Sequence, residues 1–550
     1  MWAAMRSLLL LTGLGGLLAA CGGPAMPPRP RPAPDVPAAP TDAAVAVGGG
    51  EARPPDSAGE PPAPPAVAAA ARDAAARAGT PVDAAIPTPG SDLWAGAVTG
   101  GPAWTGPTVD AQVRVQLDAR AGHVGPEFLG LSFEKSHLTD TWFTPENAPL
   151  IALFRLLGTG VLRIGANDAD RTTWDPAAQP KAGTFSRTVG TAAVDALASF
   201  LRATGWRAIY AVNFKTGTAE NAAAEAKYVT AQLGASLYGL EIGNEINLAG
   251  LPYPEVKTRW EAFAAAIAAA APGAPLIGPA TNPGGLNSYY VPFARDEGAR
   301  VVLLTHHYYR GSGSSANSTM ATLLSADPHL VDVLQTLATA ATSAHVRDGF
   351  RLGETASFSS HGAPGVSDAF GSALWALDFF FDNAAHGSSG INFHGGGVGQ
   401  DGNRPFTYSP IGEAQGVVTG AKPIFHGMLL MALAGAGDVL GTTASAAGID
   451  LGAHALGLAG GATSVVLVNK DPTRGVQAHV ELAGAGSPGR AAVLYLEGGS
   501  LEAMSGIRVA GAPISPAGAW SPRPPFVLPL AGTAVTVLVP PASAALVRIW

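Results

Sequence analysis

Leu237-Tyr238-Gly239-Leu240-Glu241-Ile242-Gly243-Asn244-Glu245 reads as a strand that ends in polar chemistry. Its first residues are largely apolar or small, as a parallel strand covered on both faces must be. Asn244 and Glu245 then arrive together. An amide beside a carboxyl at the end of a buried strand must be hydrogen-bonded or solvated in a cleft, because burying either unpaired is costly. A second run, residues 350–357 (Phe-Arg-Leu-Gly-Glu-Thr-Ala-Ser), repeats the design with Glu354 near its end.

Working outward from these two runs, strand-like and helix-like patterns alternate. The reading predicts strands at 128–133, 161–165, 208–214, 237–245, 275–280, 301–309, 350–356 and 390–394. It predicts helices at 148–157, 192–204, 222–233, 254–271, 290–297, 330–346, 368–383 and 422–434. Eight strands, each followed by a helix, match the count and size of a (β/α)8 TIM barrel, here placed at 125–437. Such barrels carry their sites at the C-terminal strand ends. Polar residues fall there: Glu134, Asn167 and Asp168, Asn213, Asn244 and Glu245, His306 and Tyr308, Glu354, and Asn392 and His394. Trp142, Trp174 and Tyr408 lie on loops of the same end, as sugar platforms or as plain packing.

The flanks have other textures. Residues 438–550 carry short alternating runs between Gly and Pro, the pattern of a β-sandwich. The segment 109–124, with Val113, Val115 and Leu117 on one face, is expected to join that sandwich, since it precedes the barrel and needs a sheet to pair with. Residues 22–108 are rich in Pro, Ala and Gly and read as a disordered, extended linker. Residues 1–21 read as a signal peptide: Arg6 precedes an apolar run too short to span a bilayer, which ends in Leu18-Ala19-Ala20-Cys21. That ending resembles a lipobox, so Cys21 is the expected lipidation site. An exported bacterial lipoprotein follows, held at the outer membrane or cell surface by its lipid anchor alone.

Composition narrows the function. The 550 residues are 47% hydrophobic with net charge −8, enough for a large core and without the basic surface that nucleic acid requires. Cys21 is the one cysteine, so neither an internal disulfide nor a cysteine metal site is available. Adjacent His306 and His307 point to opposite faces of a strand and cannot hold one ion. Gly397, Gly399 and Gly402 match dinucleotide-loop spacing, but no helix follows them. No cofactor and no metal are expected.

Two strand-end glutamates suit glycoside hydrolysis. Retaining glycosidases place two carboxyls about 5–5.5 Å apart, one an acid/base and the other a nucleophile. Strands four and seven lie on opposing parts of a closed barrel, so Glu245 and Glu354 can face each other across a sugar. Asn244 would hold the hydroxyl beside the reacting carbon, Tyr308 would orient Glu354, and His306 would line the same pocket.

The same residues carry a resemblance. Gly130-Leu131-Ser132-Phe133-Glu134, Arg163-Ile164-Gly165, Glu241 to Glu245, His306-His307-Tyr308-Tyr309, Gly353-Glu354-Thr355 and Ile391-Asn392-Phe393-His394-Gly395-Gly396 resemble glycoside hydrolase family 79, in family order. That family contains β-glucuronidases and heparanase. The resemblance implies a retaining mechanism, with Glu245 as acid/base and Glu354 as nucleophile, and one β-sandwich built from the early strand and the C-terminal region. It departs at one loop. Where the family reads a uronic acid carboxylate with a tyrosine followed by glycine amides, this chain has Ser359, Ser360, His361 and Gly362. Ser359, His361 and Gly362 are the candidate readers of that corner of the sugar. The expected activity is that of an exo-acting β-glucuronidase on a carbohydrate substrate. A β-glucosidase-type enzyme accepting a neutral sugar or disaccharide is the alternative, and a non-catalytic glycan-binding lipoprotein is the alternative of another class.

Overall fold

The computed structural model describes residues 93–396, 406–484, 486 and 488–550. The signal peptide, Cys21, most of the linker and the glycines 397, 399 and 402 lie outside the described residues.

Eight parallel strands close into a barrel. In chain order, after β1 (Thr108–Val124), they are β2 (Leu129–Glu134), β3 (Val161–Gly165), β4 (Arg207–Val212), β5 (Leu237–Ile242), β6 (Leu276–Thr281), β7 (Val301–Tyr309), β8 (Phe350–Ala356) and β9 (Ser388–Gly395). The barrel order is β8-β9-β2-β3-β4-β5-β6-β7. Almost every residue of these strands is buried, because helices cover the outside and side chains fill the inside.

The helices start where the sequence supplies caps. Asn147, Thr218 and Asp327 accept backbone N–H groups through their side chains at the starts of Ala148–Leu156, Ala219–Leu233 and Pro328–Ser343. Gly205, with φ 74°, ends Thr191–Thr204. In an aromatic cluster, Phe143, Phe154 and Phe200 pack edge to face and Trp206 lies tilted on Phe154, with ring centroids 4.5–6.5 Å apart. Trp206 also donates its indole N–H to the Gly158 carbonyl at 2.7 Å. Trp206→Ala is therefore expected to cost about 3–5 kcal/mol of stability, read as a shift in the denaturant midpoint.

The other domain is one eleven-stranded sheet. Within it β1 pairs antiparallel with Gly437–Ala446 and parallel with Gly475–Ala483. The sheet curls on itself, so Val113, Val115, Val465, Val480, Val537 and Val547 share one apolar core. Leu117 packs at its margin.

The folded part begins before residue 108. Trp94 is buried against Trp550 and under the Arg548 guanidinium. Val98 exchanges backbone hydrogen bonds with Pro525 and Val527 at 2.8 Å each. Residues 93–107 are thus a strap on the sheet and not linker; the buried Trp94 side chain and the backbone pairing of Val98 outweigh the Pro and Gly around them. Among the described residues no helix is long and apolar enough to cross a membrane.

Candidate active site

The chain turns at once where β5 ends. Gly243 takes φ 84°, and a Cβ there would meet Phe214 Cβ at 2.6 Å, so glycine is required. Glu245 follows in the left-handed region with φ 46°, a conformation costing a non-glycine residue roughly 1–2 kcal/mol. Its N–H donates to the Ala280 carbonyl at 2.7 Å and holds it there. Strain kept in place at a strand end is characteristic of functional positions. Asn244 and Glu245 therefore lie on a turn beyond the strand, not in its last positions as expected.

Arg163 is the centre of the site. Its guanidinium is fully buried and donates to Glu241 Oε2 at 2.7 Å, Glu354 Oε2 at 3.0 Å, Asn244 Oδ1 at 2.8 Å and Ser132 Oγ at 3.3 Å. Glu241 in turn accepts from Thr305 Oγ1 at 2.7 Å. Glu354 accepts from the Tyr309 hydroxyl at 2.9 Å through its other oxygen. Burial alone would raise the Glu354 pKa, but His307, His394, Arg163 and the Tyr309 hydrogen bond outweigh it and hold the carboxyl at about 2. Glu245 is less buried, and its Oε1 lies 3.1 Å from His307 Nδ1. His307 Nδ1 is also 3.9 Å from Glu354 Oε1. One carboxylate oxygen from each glutamate and a ring nitrogen of His307 all lie within 4.8 Å of one another.

Two of the expected residues face the wrong way. Tyr308 donates to Asp327 Oδ2 at 2.6 Å, on the outside of the barrel, and does not reach Glu354. His306 also points outward, 2.8 Å from Thr281 Oγ1 and against Tyr290, and burial drives its pKa down to about 3. The inward set on β7 is Thr305, His307 and Tyr309. Every residue of 301–309 sits in a strand covered on both faces, so no alternation marks the parity.

Asn392 is a second correction. It serves the barrel interior below the site, donating to the Leu131 and Val161 carbonyls at 2.9 and 2.8 Å and accepting from Arg351, which also donates to the Glu127 and Phe128 carbonyls. Glu134 is buried and accepts the Asp168 N–H at 2.7 Å, bracing the loop after β3, on which Asn167 is exposed. Asp168 accepts from Ser136 Oγ at 2.6 Å. Asn213 satisfies backbone groups of Thr172, Thr216 and Gly217 and belongs to the rim.

In the loop after β8, the Gly362 N–H donates to the Ser359 carbonyl at 3.1 Å, closing a turn with φ 84° at Gly362. It is therefore not offered to a ligand, in contrast to the expectation. Ser359 and the His361 ring remain at that rim, partly exposed, with His361 5.0 Å from Phe406. Tyr408 stacks on Phe406 and meets Tyr309 and His394 at centroid distances of 6.1 Å each. His394 is buried 3.3 Å from Ser132 Oγ, and burial lowers its pKa. Trp142 and Trp174 are buried packing residues.

Sequence reasoning missed Arg163, Glu241, His307 and Tyr309 as site residues. An arginine and a glutamate inside otherwise apolar strands were the available signal for the first two, since an unpaired buried charge is expensive.

Comparison with known proteins agrees with this architecture. A 4-O-α-L-rhamnosyl-β-D-glucuronidase from Fusarium oxysporum 12S, solved with Rha-GlcA, superimposes with a TM-score of 0.63 at 17% identity, covering 79% of this chain and 99% of that one. The family 51 arabinofuranosidase from Xanthomonas axonopodis pv. citri gives 0.59 at 14% identity, covering 80% and 100%. The chain shares the barrel-and-sheet fold of these two glycoside hydrolases. In sequence it is 30% identical over 138 residues to a β-glucuronidase of Neurospora crassa, 24% of this chain and 23% of that protein. The chain thus spans less than a quarter of the curated relative it matches. No family model matches.

Proposed function

We propose that the protein is a retaining exo-β-glycosidase that hydrolyses β-glucuronides. The observation that carries this reading is that Glu245 and Glu354 meet on either side of His307 Nδ1, one carboxylate oxygen of each lying within 4.8 Å of the other, which puts the two carboxyls on the close side of the range glycosidases use. Retaining enzymes need about 5–5.5 Å between the carboxyls, whereas inverting enzymes need about 6.5–9.5 Å to seat a water.

The environments divide the roles. Glu354, kept anionic by Arg163 and Tyr309, attacks the anomeric carbon while the bond to the leaving oxygen breaks. Glu245 gives that oxygen a proton. In the second step Glu245 takes a proton from water, the water oxygen bonds to the anomeric carbon, and the bond to Glu354 breaks. Arg163 holds Asn244 Oδ1, which leaves the Asn244 NH2 group to donate to the neighbouring sugar hydroxyl. His307, beside both carboxyls, positions Glu245.

Glucuronide preference rests on the sequence match to a β-glucuronidase, with Ser359, His361 and Tyr408 at the rim as candidate contacts. The inward-turned Gly362 amide favours a second reading, a neutral sugar in place of the uronic acid. A panel of nitrophenyl β-glycosides separates them. The first reading expects kcat/KM on the glucuronide to exceed that on the glucoside by about 10-fold or more. Equal or better turnover of the glucoside replaces it with the second.

Anchoring is a further part of the proposal, supported by the lipobox-like sequence ending at Cys21. Cys21→Ser is expected to move the protein from the membrane fraction to the soluble fraction or to block its processing. Wild-type protein that is wholly soluble and without lipid in its native cell would contradict anchoring.

A further inference from the structure

We propose that His137, Asp140 and Glu413 form a divalent-cation site that ties the loop after β2 to the hairpin Ile411–Ala414 and Val417–Ala421. One donor atom from each residue lies within 4.8 Å of the other two. His137 and Asp140 follow the end of β2 in a short 3-10 helix and its exit turn, and Glu413 sits on the hairpin before the last barrel helix. These segments come from opposite ends of the barrel sequence and flank its mouth.

Two of the donor residues are deeply buried and form a loose ion pair with each other. His137 and Asp140 are 2% and 3% exposed, and among the described residues neither His137 Nδ1 nor Asp140 Oδ2 makes a hydrogen bond of good geometry. They stand 3.4 Å apart. A charge-assisted hydrogen bond would draw them to about 2.7–2.9 Å, whereas two ligands on one tetrahedral ion with bonds of about 2.0–2.1 Å are separated by about 3.3 Å. Both groups are fixed in place. Asp140 Oδ1 accepts the Trp142 N–H at 2.9 Å, and the imidazole is held edge-on by Phe133 and Phe185 at 5.6 and 5.0 Å.

The donor set selects the ion. One imidazole with two carboxylates suits a first-row cation such as Zn2+ or Mn2+ better than an all-oxygen cation such as Mg2+. The cation would give the buried Asp140 carboxylate a closer counter-charge than the 3.4 Å ion pair with His137 supplies. It would fix the wall of the mouth directly after Glu134. Glu245, His307 and Glu354 form the other cluster of this kind among the described residues, so the experiment has to distinguish the two.

Calorimetric titration of the full chain, stripped with EDTA, with ZnCl2 and separately with MnCl2 makes that distinction. Wild type is expected to bind one equivalent of at least one metal with a rise in melting temperature. Asp140→Asn and Glu413→Gln, each isosteric and outside the catalytic pair, are expected to weaken that binding at least tenfold and to lose the rise. Absence of binding by wild type overturns the proposal. So does binding of unchanged affinity in both variants, which would place the metal elsewhere.

Discussion

Glu354→Gln is expected to lower kcat on a nitrophenyl β-glycoside by about 10^4-fold or more, because it removes the nucleophile and leaves no group to take its place. The amide keeps the volume; its oxygen can still accept from Arg163, and its NH2 can donate to the Tyr309 hydroxyl oxygen, so the fold should persist. Glu245→Gln should behave differently. With an activated leaving group that needs no proton, the first step is expected to be largely spared; with an unactivated glycoside it is expected to slow by about 10^2–10^4-fold. Comparing the two variants across leaving groups by steady-state kinetics separates nucleophile from acid/base. Near wild-type activity of both on an unactivated substrate would remove the assignment.

Arg163→Met is expected to be the most destabilising single change at the site. It leaves Glu241 and Glu354 buried without their shared cation, and breaking a buried pair in this way costs about 3–5 kcal/mol. The consequence for pH has a definite sign. Glu354 titrates near 2 in the folded protein against an ordinary value of 4.5. Its contribution to stability is therefore complete above 4.5 and is lost as pH falls toward 2. In Arg163→Met that contribution shrinks, and the acid limb of kcat/KM moves to higher pH. Denaturant melts at neutral and acidic pH, with a pH–rate profile, test both statements. Unchanged stability would show that the four-way hydrogen bonding of Arg163 is incidental.

How much of this was legible in the sequence depends on what each residue had to satisfy. Eight strands and eight helices were placed within a few residues, because buried parallel strands are short apolar runs and the helices between them announce their caps. Glu245 and Glu354 came together as expected from strand order. Parity on β7 could not be read: both faces of 301–309 are covered, so His306 and Tyr308 looked as eligible as His307 and Tyr309. Thr305, which reaches Glu241, shares the inward face and was the one internal hint. Asn392 failed for another reason. A polar residue in a barrel strand can face either the mouth or the floor, and Arg351, on the neighbouring strand, drew it to the floor. The strap at 93–107 escaped because composition averages over a window, whereas docking needed only Trp94 and Val98.

The central claim is that Glu354 forms a covalent bond to the sugar that water then breaks on the same face. Proton NMR of the first-formed sugar, recorded on a nitrophenyl β-glucuronide before mutarotation, tests it most directly. The account predicts the β-anomer as the initial product, giving way slowly to the equilibrium mixture. An initial α-anomer would mean a single inverting displacement and would contradict the pairing of Glu245 and Glu354 on which the account stands.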